Sequence, residues 1–300
     1  MSMNTLNTEY EASLKAIETE NYLDRVFYRP IGFFIAKRLC QTRITPNTIT
    51  IISIFVGITV GPLFYFHNRW IALTGILCLI IANILDCVDG QLARLAGSQS
   101  NIGRILDGIA GNIWFTLIYV FLALRLKDEY GSGLFFIPAV ISGLSHLMQA
   151  NITDYYKTLH LYFVSEEKGK EFQRGEDIRH QYQEKKNGIE KKLFFCYLIY
   201  TRLQEAATPK LQLMLKNLQA VYGHHIPETI RINFRRQSIT LMKRWIDLMT
   251  FNGRTLVLFI AVLSGFVWVY FVYEIVVLNA ILVISVYKHE QICASINYTL

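Results

Sequence analysis

"DCVDGQLARLAGSQSNIGRILDGIAGN", residues 86–112, places three aspartates and two arginines between two long apolar runs. Charge in such a position is costly, so the flanking segments come first. Apolar runs at 49–66, 70–85, 109–124 and 134–152 and a last block at 255–286 approach or exceed the roughly 20 helical residues that span a hydrocarbon core of about 30 Å. Dividing the last block near Glu274 makes six crossings. With 52% apolar and 18% charged residues among 300, the chain is too apolar for an ordinary soluble domain, yet it keeps a substantial polar portion. The expected fold is all-α: a polytopic membrane protein of six transmembrane helices, with an N-terminal interfacial helix and a cytoplasmic helical insertion between helices 4 and 5.

The distribution of positive charge orients these helices, because Lys and Arg accumulate on the cytoplasmic side. Six of the thirty Lys and Arg precede the first run and seventeen lie within 157–244, whereas Arg69, Arg125 and Lys127 fall in the opposite loops. Both termini and the acidic stretch are therefore expected at the cytoplasmic face. The polar, acid-containing first residues do not form a secretory signal peptide. Before the first run, "YLDRVFYRPIGFFIAKRL" mixes aromatic and basic residues as an interfacial helix does. Within 159–252, Pro209 interrupts an amphipathic pattern, predicting helices broken at that proline. The chain accordingly divides into 1–46 (N-terminal segment), 47–158 (helices 1–4), 159–252 (insertion) and 253–300 (helices 5–6 and tail). The five cysteines show no metal-ligand spacing and read as thiols in apolar surroundings.

Spacing carries the chemistry. Asp86 and Asp89, three apart on a helix, share a face, and Asp107 opens the third crossing. Three converging carboxylates repel one another unless a cation compensates them, and hard oxygen ligands favour Mg²⁺ or Mn²⁺ over zinc. Arg94 and Arg104 are placed to bind diphosphate oxygens, and Gly90, Ala93, Gly97 and Gly103 permit close approach. Phosphoryl transfer between a charged nucleotide and a lipid fits this site, but an ion transporter using the acids as a cation path fits nearly as well.

Asp86, Asp89, Gly90, Ala93, Arg94, Gly103 and Asp107 stand as D-x2-D-G-x2-A-R-x8-G-x3-D. The pattern resembles the signature of the CDP-alcohol phosphotransferase (CDP-alcohol phosphatidyltransferase) family, and "ITPNTIT" (44–50) is similar to that family's entry into its first helix. The resemblance implies transfer of a substituted phosphate from a CDP-linked donor to an alcohol, with release of CMP and two Mg²⁺ or Mn²⁺ ions at the acids. By the same resemblance Asp86, Asp89 and Asp107 are metal ligands. Gly90, Ala93, Arg94 and Gly103 shape the CDP pocket, with Arg104 beside it, and Asn47 lies near the diphosphate or caps the first helix. The implied donor is CDP-diacylglycerol and the acceptor inositol phosphate or another small polyol or its phosphate. The alternative is a CDP-linked headgroup moved onto diacylglycerol or ceramide. Expected partners are these substrates, membrane lipid and a second copy in a homodimer, with no nucleic acid. The expected location is a bacterial inner membrane.

One position departs from the pattern: four residues after Asp107 the family has a fourth aspartate, the general base, where this chain has Gly111 followed by Asn112. Four readings stay open. Another base serves, with Asp154 or His146 on the fourth helix as candidates; metal coordination alone acidifies the alcohol; the chain is a non-catalytic nucleotide- or lipid-binding homologue; or Asn112 stands for a displaced aspartate, which requires a local helical bulge.

Overall fold

The computed structural model describes residues 3–15, 17–165, 169, 172–223 and 225–297; the side chains of 3–7, 17, 101, 102, 104 and 189 lie outside that description. Among the described residues every regular element is helical: α1 (Met3–Ser13), α2 (Arg29–Leu39), α3 (Pro46–Ile58), α4 (Val60–Tyr65), α5 (Arg69–Leu95), α6 (Asn101–Tyr130), α7 (Phe136–Val164), α8 (Gly175–Glu184), α9 (Ile189–Ala207), α10 (Pro209–Tyr222), α11 (Glu228–Arg244), α12 (Phe251–Ser264), α13 (Trp268–Val272) and α14 (Asn279–Asn297). Helix ends follow local chemistry. Thr45 caps α3 ahead of Pro46, Asn68 caps α5 through the amides of Trp70 and Ile71, and α6 stops at Gly131 with φ +67°. Proline at position 209 starts α10, where its missing N–H has no intrahelical partner to lose, so the insertion breaks where expected.

Five helical stretches are long and apolar enough to cross a membrane: Pro46–Tyr65, Arg69–Leu95, Ile105–Tyr130, Gly133–Val164 and Trp268–Asn297. The protein is an integral membrane protein. The fifth expected crossing corresponds to α12, whose 14 residues reach about 21 Å at 1.5 Å per residue, short of the hydrocarbon thickness. The last apolar block divides at Gly265 (φ +85°) rather than near Glu274. The physical reason is that Glu274 needs no polar loop. It sits fully buried in a π-helical segment, Tyr273–Leu278, with Arg254 Nη1 2.8 and 2.7 Å from its two oxygens and the Tyr270 hydroxyl donating at 2.9 Å.

The chain forms two compact units. In the first (residues 1–147 and 251–277), α3 and α2 pack on α5 while α4 and α3 pack on α6. Glycine makes these contacts close: a Cβ on Gly57 would stand 2.2 Å from Trp114, and one on Gly61 2.9 Å from the Leu117 carbonyl. α2 buries Gly32, Phe33 and Ala36 and leaves Phe34 59% exposed beneath the Arg38 guanidinium, as a helix lying along an interface would. In the second unit (148–250 and 278–300), α10 and α11 pack on α14 and α8 packs on α9. There Glu290 accepts from the amides of Lys210 and Leu211 at 2.6 and 3.1 Å, capping α10 from another helix.

Candidate active site

The turn between α5 and α6 builds the site. At the end of α5 the Ser98 N–H donates to the Ala93 carbonyl (3.0 Å) and the Gly97 N–H to that of Arg94 (3.3 Å), with Gly97 at φ +61°. This is a Schellman ending, and the left-handed residue requires glycine. Ser100 then caps α6 by accepting from the Gly103 N–H at 3.0 Å. The chain thus reverses within five residues, setting the last turns of α5 beside the first turns of α6.

On those turns Asp86, Asp89 and Asp107 converge, each offering one oxygen within 4.8 Å of the others. Asp89 is 4% exposed and Asp86 and Asp107 are half-buried. Thr50, from α3, donates its hydroxyl to Asp89 Oδ2 at 2.6 Å. The field of Arg29 reaches Asp86 from α2, while Arg29 Nε pairs with Glu20 at 3.1 Å. Three carboxylates this close carry more negative charge than these neighbours offset, and their donor set is all hard oxygen, so the cluster fits divalent Mg²⁺ or Mn²⁺.

The remaining predicted residues divide into two groups. Gly90 leaves room for Arg94: a Cβ there would stand 3.2 Å from the guanidinium Nη2. Arg94 Nε donates to the Ser13 carbonyl, which fixes the guanidinium over the end of α5. Half-buried Ala93 supplies the carbonyl that closes the α5 cap. Gly103 faces Asn47, whose Oδ1 lies 3.2 Å from where a Cβ would be. Asn47 is not the cap of α3, since Thr45 takes that role. Asn47, Gly90, Arg94 and Gly103 therefore line the same end of the helices as the acids. Arg104 belongs to α6, but its side chain lies outside the described residues.

The second group has other partners. His146 is 7% exposed, with Arg254 Nη1 3.1 Å and the Tyr119 hydroxyl 3.0 Å from its Nδ1 and its ring against Phe115 at 4.6 Å. Because arginine can only donate, Nδ1 is the accepting nitrogen, already engaged in the Arg254–Glu274 network. Asp154 is an exposed residue of the second unit, where its charge and burial both push the Tyr200 hydroxyl up, burial being the larger cause. α6 runs unbroken as an α-helix, without the bulge that a displaced aspartate requires. Position 112 then points about 140° from Asp107 and position 111 about 40° from it. Asn112 turns back on its own helix, Nδ2 donating to the Gly108 carbonyl at 2.7 Å, and its Oδ1 is buried with no hydrogen-bond partner among the described residues. A Cβ on Gly111 would meet nothing within 4 Å.

Thr50, Arg29 and Ser13 did not emerge from the sequence reading. Thr50 lies within "ITPNTIT" and Arg29 within the interfacial segment, but Ser13 carries no local signal at all.

Residues 43–164 match the family model for CDP-alcohol phosphatidyltransferase. The chain is similar to the archaetidylinositol phosphate synthase of Pyrococcus horikoshii, at 40% identity over 73 residues, covering 24% of this chain and 37% of that protein. It is also similar to a CDP-diacylglycerol–glycerol-3-phosphate 3-phosphatidyltransferase of Cereibacter sphaeroides (32% over 78 residues; 26% and 35%). A CDP-diacylglycerol–serine O-phosphatidyltransferase of Mycobacterium leprae matches at 31% over 80 residues (27% and 26%). The chain spans about a third of the length of these curated relatives. The helices that bear the acid cluster fall inside the matched segment, so residues 43–164 are similar to the CDP-alcohol phosphatidyltransferase family.

Proposed function

We propose that this protein transfers a substituted phosphate from a CDP-linked donor to an alcohol, releasing CMP, at the cytoplasmic end of α5 and α6. The observation that carries the reading is the meeting of Asp86, Asp89 and Asp107 within 4.8 Å. These three residues would hold two divalent ions, which when bound neutralise the donor diphosphate and acidify the acceptor hydroxyl. Arg94, held by Ser13 above the gap left by Gly90, is positioned to take diphosphate oxygens. Asn47 and Gly103 lie against each other, where the short side chains admit a nucleotide. Thr50 holds Asp89 in its ligating orientation.

CDP-diacylglycerol is the donor of this reading and a polyol phosphate, inositol phosphate or glycerol phosphate, the acceptor. The names of two relatives support the acceptor: one is an archaetidylinositol phosphate synthase, the other a CDP-diacylglycerol–glycerol-3-phosphate 3-phosphatidyltransferase. Transfer of a CDP-linked headgroup to diacylglycerol or ceramide is the alternative allocation. With glycine at 111, the acceptor proton leaves without a fourth carboxylate beside it, so the reaction relies on the acidified hydroxyl and on solvent. The site works within a homodimer.

The same glycine favours a second reading, in which the chain binds CDP with Mg²⁺ and does not turn over. CMP release from CDP-diacylglycerol decides between them, measured with inositol phosphate, glycerol phosphate or, for the alternative, CDP-ethanolamine with diacylglycerol. Release that disappears in Asp86→Asn and Asp107→Asn supports the transferase. CDP binding with Mg²⁺ but no release with any acceptor, in the native chain and in Gly111→Asp alike, would establish the binding role instead. Since a Cβ at 111 meets nothing within 4 Å, Gly111→Asp is expected to fold and to raise turnover of an active chain.

A further inference from the structure

α14 carries a group of polar residues that the transferase reading does not use. His289, Glu290 and Cys293 each present a ligand atom within 4.8 Å of the others, and they are 1%, 8% and 0% exposed. Positions 289 and 293 are one turn apart, so they share a helix face, and His289 Nδ1 lies 3.5 Å from Cys293 Sγ. That separation is about the edge of a tetrahedron with metal–ligand bonds of about 2.0–2.3 Å. The Tyr156 ring stacks on His289 at 3.8 Å and 12°, and its hydroxyl is in electrostatic range of Glu290 and Cys293. That hydroxyl is buried and has no hydrogen-bond partner among the described residues. The Ser285 hydroxyl, one turn before His289, is in the same condition. The Tyr156 hydroxyl, buried and unpartnered beside three potential ligands, is a polar group that an ion bound there would satisfy.

We propose that His289, Glu290 and Cys293 bind a zinc-class divalent ion, with the Tyr156 hydroxyl beside the fourth coordination position. The donor set of one nitrogen, one sulfur and one oxygen selects zinc-like ions over Mg²⁺. Charge balance supports it. On binding, the Cys293 thiol releases its proton to solvent and becomes a thiolate, and with the Glu290 carboxylate it neutralises a 2+ ion, so the buried site carries no net charge. Glu290 already accepts from the Lys210 and Leu211 amides, and its remaining lone pairs are available to the metal. The ion would thus join α14 to the start of α10, a structural role separate from the acid cluster of the first unit.

The test uses the full chain in detergent, stripped with chelator and reloaded with Zn²⁺ or Co²⁺. A sulfur-to-cobalt charge-transfer band is expected, unchanged in Asp107→Asn and absent in Cys293→Ser. Tyr156→Phe is expected to weaken Zn²⁺ about 10-fold. A native chain without the sulfur band would overturn the proposal, as would a band that survives Cys293→Ser or disappears with Asp107→Asn. If Cys293→Ser does not fold, a chain with Cys40, Cys78, Cys87 and Cys196 replaced by serine retains only Cys293. Persistence of the band there supports the assignment, and its loss refutes it.

Discussion

Thr50 shows how one hydroxyl tunes the proposed metal cluster. Its 2.6 Å hydrogen bond to Asp89 joins residues 39 apart in the chain, and a bond to a charged acceptor contributes about 1.5–3 kcal/mol. Thr50→Val keeps the volume and removes the donor, so Asp89 is free to rotate. Mn²⁺ affinity, read by paramagnetic resonance, is expected to fall about 10- to 100-fold, while Asp89→Asn abolishes CMP release. Unchanged Mn²⁺ binding in Thr50→Val would show that the threonine only fills space. Asn112 gives the opposite expectation: its amide is tied to the Gly108 carbonyl, so Asn112→Asp changes CMP release far less than Gly111→Asp does.

At the level of helices, two close contacts can be tested by stability. Gly57 of α3 lies against Trp114 of α6, where a Cβ would stand 2.2 Å from the indole. Overpacking of this kind costs about 1–3 kcal/mol, so Gly57→Val is expected to lower the melting temperature in detergent by several degrees. The Arg254–Glu274 pair joins α12 to the π-helical segment after α13, at 2% and 0% side-chain exposure. Removing one partner leaves a buried charge uncompensated and costs about 3–5 kcal/mol. Arg254→Met should therefore destabilise the protein strongly, and Arg254→Met with Glu274→Leu should recover most of the loss. A double variant as unstable as the single one would contradict this account. The network also engages His146 and Tyr119, which explains why a histidine that reads in sequence as a candidate base is held by packing and hydrogen bonds.

For the whole molecule, the distribution of Lys and Arg predicts that the N-terminal segment and the 159–252 insertion face the cytoplasm. Cys40 and Cys196 are both exposed thiols, one in each segment. A membrane-impermeant maleimide is expected to label both in inside-out vesicles and neither in sealed right-side-out vesicles. Labelling of Cys196 from the outer side would overturn the proposed orientation of the insertion.

Much of this protein is legible without coordinates. Apolar length and proline at 209 are local signals, because helix ends are set by groups within one turn, whereas the sequence offered Asn47 as the cap that Thr45 supplies. The Asp86–Asp89–Asp107 set is legible too, since a fixed spacing on two helices joined by a short turn leaves little choice of geometry. Tertiary structure alone decided that Arg94 meets the Ser13 carbonyl 81 residues away, that Thr50 supports Asp89, that Arg254 neutralises Glu274, and that Tyr156 lies on His289. It also placed the break of the last apolar block at Gly265 rather than Glu274. These pairings depend on which helix faces pack together, and a buried polar group is satisfied by whichever partner that packing brings within about 3 Å, however distant in sequence.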